Sequence, residues 1–387
     1  MKPPNNQNSS LDQQNDTAQP NKAVVYRGRG SSLEIGNRFE QVHLQLDLEQ
    51  LEEADQLAEL DRKIETEYFL DEAGSVVNEN SSPDVDFRFS LNPYRGCAHG
   101  CSYCYARPTH EFLGFNAGID FESKIIAKPN APQLFRAWLG RRKWQENVEP
   151  IMLSGVTDCY QPCEKKFELT RKCLEVALEL QQPMRVTTKN GLILRDLELL
   201  TEMTKLNLIM VTVSVSSLDQ SLIRIMEPRS SSPQFRLKTI RLLAEAGIPV
   251  KVLVAPIIPA INEQEIPEIL KQVADAGASH AGYVMLRLPH SVEPVFLDWV
   301  ERHFPDRKDK IVSRVESLNG GKIYDSKFGS RMKGQGIWAD QIRSLFQAYC
   351  NKHDLKRGTA KLDCDRFRFV KGDDGPQQDG SQQMKLF

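Results

Sequence analysis

The sequence predicts an α/β fold, a partial (β/α)6 TIM-like barrel with an extension at each end. Three observations point there. Short apolar runs alternate with helical patterns from residue 86 onward, the rhythm of parallel strands joined by crossover helices. Two of the helical patterns close on glycine, at Gly247 and Gly277, and glycine is the commonest residue just past a helix end. The composition, 387 residues with 40% hydrophobic, 26% charged and a formal charge of −2, describes one large globular domain or two and excludes a collagen-like or wholly disordered chain.

Strands are expected at 87–91, 151–154, 184–188, 208–215, 250–257 and 282–286, with helices at 166–180, 192–204, 233–246 and 265–276. Six such units curl into a partial barrel over 86–290, whose site belongs at the C-terminal ends of the strands. Residues 1–22 are polar and low in complexity and read as a disordered tail. The extension 23–85 includes an acidic stretch, 44–65, with eight acids against two bases. Within it Leu44, Leu48, Leu51, Leu57, Leu60 and Ile64 form the apolar stripe of an amphipathic helix. Beyond the barrel, 291–370 is an α-rich extension with helical patterns at 296–303, 308–318 and 337–353. Residues 371–387 read as a flexible tail.

Setting aside the acidic stretch leaves the rest of the chain at +4, so net charge does not argue against a polyanionic partner. The cluster Lys322, Lys327, Arg331 and Lys333, against Asp325, is locally basic; a solvated face is its plainer reading. The longest apolar runs, 206–215 and 250–258, fall short of the roughly 20 residues a membrane span needs. No secretory stretch opens the chain, so the expected place is the cytoplasm, away from membranes, where the eight cysteines stay reduced.

Three of those cysteines stand in Asn92-Pro-Tyr-Arg-Gly-Cys97-Ala-His-Gly-Cys101-Ser-Tyr-Cys104-Tyr105, a C-x3-C-x2-C arrangement directly after the first expected strand. Gly96 and Gly100 let the backbone turn tightly enough for three thiolates to converge. Three cysteines on a four-iron cluster leave one iron open to a ligand that is not protein. The alternative is a structural zinc site with His99 as a further ligand, although zinc sites usually draw on two separated ligand pairs.

With aromatic Tyr103 before the third cysteine, the motif resembles the hallmark of radical S-adenosylmethionine (SAM) enzymes. Arg27-Gly-Arg-Gly30, Ser82-Pro-Asp84, Asn92-Pro-Tyr-Arg-Gly-Cys97 and Tyr105-Ala-Arg-Pro-Thr-His110 also resemble the spore photoproduct lyase-like group, often labelled DNA repair photolyase-like. This likeness runs over 26–354, the acidic stretch excepted. It implies a [4Fe-4S] cluster on Cys97, Cys101 and Cys104 whose open iron chelates the methionine end of SAM. By the same resemblance, an electron from the reduced cluster would cleave a C–S bond of SAM to give methionine and a 5′-deoxyadenosyl radical, with an electron donor such as flavodoxin or ferredoxin as partner.

The resemblance also assigns cofactor contacts at the strand ends. Ser154, Gly155, Thr157 and Asp158 would hold the cofactor's amino group; Lys189 and Arg229 would meet its carboxylate. Ser214 and Ser216 would reach the ribose, 254–259 would line the adenine, and Tyr103, with Tyr94 and Tyr105, would shield the cluster. Cys159 is the candidate hydrogen donor to a product radical, a role that a cysteine plays in the lyase group from a position before its Thr-Ser-Asp segment. Here Gly155 occupies that position. His99 and His110 are candidate proton relays. Strand-end Ser, Thr and Asp also serve as helix caps, and Cys163, Cys173, Cys350 and Cys364 read as packing residues.

The implied substrate is a lesion or base in nucleic acid, with lyase chemistry as one form. Modification of RNA or a small metabolite is the alternative, as is a non-catalytic iron–sulfur or zinc sensor or scaffold. The ending Gln383-Met-Lys-Leu-Phe387 resembles a bacterial sliding-clamp-binding peptide, in which a Leu-Phe pair fills an apolar pocket at the end of a loose linker.

Overall fold

The computed structural model describes residue 26 and residues 28–39 and 64–369. The expectations for 1–22, for the acidic stretch up to residue 63, for Arg27 and for the tail from 371, including Gln383 to Phe387, lie outside the described residues.

Strands β1 (Glu67–Leu70), β2 (Val77–Glu79), β3 (Phe89–Leu91), β4 (Tyr94–Arg95), β5 (Lys124–Ala127), β6 (Ile151–Leu153), β7 (Met184–Thr188), β8 (Ile209–Ser214), β9 (Val250–Ile257) and β10 (His280–Met285) form two sheets. The main sheet runs β10-β9-β8-β7-β6-β3-β2. Its strands β3 and β6 to β10 are parallel neighbours in chain order, the partial barrel expected, and their bounds agree with the expected ones to within two residues. The two expected strands with the clearest apolar runs sit mid-sheet: all six residues of β8 are buried. β9 alternates, with Val250, Val252 and Val254 in the core while Lys251 and Leu253 face the bore, as period-two geometry requires.

The helices are α1 (Ala131–Leu139), α2 (Leu169–Glu179), α3 (Leu197–Lys205), α4 (Gln220–Met226), α5 (Pro233–Glu245), α6 (Ile266–Asp275), α7 (Val292–His303), α8 (Lys308–Leu318) and α9 (Gly336–Lys352). Apolar faces of α1, α2, α3, α5, α6 and α9 form one core with the outer face of the sheet. Ser232 caps α5 by accepting from the Phe235 N–H, with Pro233 in its first turn, and Asp219 caps α4 through Ser221 and Leu222; both satisfy otherwise unpaired donors. Two helices differ from expectation. Glu168 at φ +53° breaks the first into a short turn, Glu164–Phe167, and α2. The second starts later because Asn190 accepts from the Leu192 N–H and winds Gly191–Asp196 as a 3₁₀ turn, local side-chain bonding that competes with an α-helix.

The strip β1-β5-β4 and the antiparallel edge strand β2 were not expected. The barrel wall stays open between β10 and β2, the two edges of the sheet. Residues 329–332 cross that gap. Met285 N–H donates to Met332 O at 2.9 Å, while Arg331 Nε and Gly329 N–H both donate to Asp84, at 2.5 and 2.6 Å. Among the described residues no helix is long and apolar enough to cross a membrane.

Candidate active site

A cavity of about 880 Å³ occupies the bore and the C-terminal strand ends. Cys97, Cys101 and Cys104 share it with Tyr103, Tyr105, Ser154 to Asp158, Lys189 and Ser214.

The cysteine loop follows β4, and its path depends on close backbone approach. Gly100 has φ +66°, and a Cβ at Gly30 would lie 1.6 Å from the Gly100 carbonyl oxygen, so the segment 28–31 packs against the loop only because residue 30 has no side chain. Glu122 joins them: its carboxylate accepts from the N–H groups of Gly30 and Ser31, at 2.9 and 2.8 Å, and from Arg107, at 2.5 Å. Arg107 also donates to the carbonyls of Cys101, Ala117 and Gly118.

All eight cysteines are free thiols. Cys97 and Cys101 are buried and Cys104 is half-buried. Burial first, then Asp158 and Cys104, pushes Cys97 up to about 12, and burial followed by Glu227 pushes Cys101 well above the usual thiol range. Such thiols become thiolates only beside a strong positive charge. A zinc site using His99 does not fit, because both ring nitrogens are engaged: Nδ1 is 3.4 Å from Asp158 Oδ2 and Nε2 is 3.2 Å from Asn190 Nδ2.

Asp158 ties the second and third strand ends of the barrel to this loop. Its Oδ1 accepts from Thr188 Oγ1 at 2.8 Å and from the Tyr160 N–H at 2.9 Å; Oδ2 accepts from the Lys189 N–H at 2.7 Å. Lys189 Nζ donates to Ser214 Oγ at 3.0 Å, Ser214 donates to Ala255 O, and the ammonium stands 5.9 Å from the Tyr103 ring centroid. A polar row thus crosses the ends of β7, β8 and β9.

The turn after β6 is tight. Ser154 takes φ +78°, donates through Oγ to Thr157 O at 2.6 Å and accepts from the Cys159 N–H. Thr157 donates to Tyr94 O, and Gly155 O accepts from Tyr105 Oη at 2.9 Å. A Cβ at Gly155 would lie 2.8 Å from Ser90 Cβ. A cysteine at the position that the lyase-like pattern uses therefore has no room without movement of β3.

Three expected contacts point elsewhere. Ser216 is fully buried and donates to Glu227 Oε1 at 2.6 Å, so its hydroxyl faces away from the cavity. Arg229 donates to Thr66 Oγ1 at 3.0 Å and stands apart from the cavity lining. Cys159 is fully buried in the core, because the chain turns it away from the side on which Asp158 faces the cavity; it cannot serve as hydrogen donor to a substrate there. His110 is likewise buried away from the cavity, between Phe115 and Phe121.

Sequence reasoning missed Glu227, which is buried and accepts from Tyr103, Ser216, Ser230 and Arg236. Burial would raise its carboxyl, but the Arg236 and Lys189 charges and the Ser216 and Tyr103 hydrogen bonds bring it down to about 2. The Glu-Pro break after α4 was its local signal. Glu122 had none, since its partners Gly30 and Ser31 lie 92 and 91 residues away.

Comparison with known proteins gives this geometry its context. The main-sheet fold matches spore photoproduct lyase in a mutant form, at a TM-score of 0.56, 17% identity, and coverage of 75% of this chain and 81% of that one. It also matches spore photoproduct lyase complexed with dinucleoside spore photoproduct, at 0.55 and 17% over the same shares. At that identity the likeness is one of fold. In sequence, an uncharacterized protein of Mycobacterium bovis is 35% identical over 236 residues, 60% of this chain and 68% of its own length. One from Methanocaldococcus jannaschii is 30% identical over 193 residues, 50% and 68%. The sequence profile of the radical SAM superfamily matches residues 91–273, from the end of β3 through the three cysteines and on into α6, and on these grounds the chain belongs to the radical SAM superfamily of enzymes.

Proposed function

We propose that Cys97, Cys101 and Cys104 hold a [4Fe-4S] cluster, that SAM binds beside it in the cavity, and that the substrate is a base or lesion in nucleic acid. The observation that carries the reading is the donor set: three free thiols on the wall of one cavity, needing positive charge to ionise, with the fixed cation of Lys189 across the same space. When bound and reduced, the cluster supplies the electron that cleaves SAM to a 5′-deoxyadenosyl radical.

The chain's own residues bind, orient and shield. Lys189, held by Ser214, presents its ammonium to the cofactor carboxylate. The segment from Ser154 to Asp158 lines the cavity with carbonyl, hydroxyl and carboxylate acceptors suited to an ammonium group. Tyr103, pinned by Glu227, closes the space beside the thiols. Met152, Leu253, Val284 and Met285 add an apolar stretch to a mixed lining, which limits water beside a reactive intermediate.

Nucleic acid is favoured over a neutral metabolite because cations outnumber carboxylates in the cavity lining, where Asp86 pairs with Arg185 and Lys251 while Arg287, Lys333 and Arg357 form no ion pair among the described residues. The fold likeness to a lyase complexed with a dinucleoside photoproduct supports the same class and a lyase-type repair. An external reductant such as flavodoxin or ferredoxin would supply the electron that reduces the cluster before SAM is cleaved. The ending Gln383-Met-Lys-Leu-Phe387 suits tethering to a sliding clamp, and removing it should abolish clamp binding in a pull-down.

The test is anaerobic reconstitution with iron and sulfide, reduction by dithionite, addition of SAM and assay for 5′-deoxyadenosine, with and without lesion-bearing oligonucleotides. Cluster absorption and nucleoside formation are expected in the wild type and lost in Cys101→Ala. An intact cluster in Cys101→Ala would refute the ligand set. Turnover on a small metabolite, with none on any oligonucleotide, would refute the substrate class.

A further inference from the structure

The connection 319–335 between α8 and α9 holds four cations against the single carboxylate of Asp325. It crosses the open edge of the barrel, pinned on one side to β10 through Met332 and on the other to Asp84 through Gly329 and Arg331. Arg331 and Lys333 line the cavity there. So does Arg287, just after β10, whose guanidinium stands 5.3 Å over the Tyr105 ring with its Nε buried and without a hydrogen-bond partner. Among the described residues neither Arg287 nor Lys333 forms an ion pair, Asp84 acting on Arg287 only at longer range. In the same connection Phe328 is 59% exposed, and the Arg331 guanidinium stands 4.4 Å from the centre of its ring.

We propose that this connection grips single-stranded or extruded nucleic acid, with Phe328 as a stacking platform for an unpaired base and Arg287 and Lys333 as the cations for its flanking phosphates. The inference deepens the nucleic-acid reading above and rests on it. Unpaired cations beside a cavity favour a polyanion. An exposed aromatic ring on the same connection, with Arg331 against it, selects nucleic acid over an acidic peptide, because every unstacked base offers a flat face to it. A duplex buries those faces, so a single strand or a base already out of the stack is the fitting ligand. The Arg331–Asp84 pair holds one rim of the platform in place.

The test is fluorescence anisotropy of the reconstituted full chain with a labelled 15-nucleotide single strand and with the matching duplex, over a salt series. The single strand is expected to bind more tightly. Phe328→Ala should weaken it about tenfold, the scale of one stacked base, and Phe328→Trp should restore it. Arg287→Gln and Lys333→Gln should each lower the slope of log affinity against log salt by about 0.7, with unchanged circular dichroism. Tight wild-type binding that all three substitutions leave untouched would overturn the grip while the nucleic-acid reading stands. Binding of polyglutamate and of no oligonucleotide by the wild type would overturn both.

Discussion

Two buried carboxylates hold the cysteine loop from two directions, and they do so by different means. Glu122 works on the main chain: it accepts from the N–H groups of Gly30 and Ser31, and its partner Arg107 binds the carbonyls of Cys101, Ala117 and Gly118. Glu227 works on side chains, collecting Tyr103, Ser216, Ser230 and Arg236 from different segments around the barrel mouth. The first fixes the path along which the three thiols are strung. The second fixes which way the groups beside them point. The loop's shape and the cavity's chemistry are thus set by separate networks.

The sharpest way to break this contrast is Arg107→Ala, which removes the ion-pair partner of the buried Glu122 carboxylate and leaves Arg29, which hydrogen-bonds only the Glu122 carbonyl. A loss of about 3–5 kcal/mol in urea unfolding is expected, together with poor retention of cluster absorption. Intact cluster content would show that the backbone path does not depend on this pair.

A smaller effect separates the two sides by pH. His110 lies on the Glu122 side, its Cε1 3.0 Å from where a Cβ at Gly96 would stand, and its ring nitrogens meet the backbone of Asp120 and Lys124 without a well-aligned hydrogen bond. Burial pushes it down to about 4, against the smaller opposing pull of Asp120. The unfolded chain therefore takes up a proton first, near 6.5, and stability falls as pH drops from about 6.5 to about 4, then levels off. Glu227, brought down to about 2, contributes stability that is complete above about 4.5 and lost only toward pH 2. His110→Phe, with its ring between Phe115 and Phe121, should flatten the limb between pH 6.5 and 4 by about 3 kcal/mol. An unaltered limb in that variant would assign the acid sensitivity to other groups.

The smallest change is on the Glu227 side. Tyr103→Phe removes one donor to a charged acceptor and should lower stability by about 2 kcal/mol, with the limb between pH 6.5 and 4 unchanged and the cluster retained. If the cluster were lost, Tyr103 would belong to the network that shapes the loop.

The barrel strands were legible in the sequence because a strand covered on both faces writes a continuous apolar run, as β8 does. The strip β1-β5-β4 was not, because β4 is two residues long and all four residues of β1 are exposed, so neither carries a hydrophobic period. In the site, the cysteine spacing was a local pattern and could be read directly. Ser216 and Arg229 were assigned to the cofactor because they lie near strand ends, but sequence does not say which way a side chain turns once the strand has ended. Cys159 shows the same limit one residue from Asp158, on the far side of the turn. Glu122 was invisible for the opposite reason, since its function exists only once segments some 90 residues apart have met.

The gap in the barrel wall has a consequence for how such proteins diversify. A further strand closing the sheet would fix the width of the opening by hydrogen-bond register, which changes only in whole steps. Here the closure is a loop hooked to β10 at one end and to Asp84 at the other, and loops accept insertions and deletions at little thermodynamic cost. The aperture can be lengthened, narrowed or re-decorated residue by residue while the thiols and the polar row stay where they are.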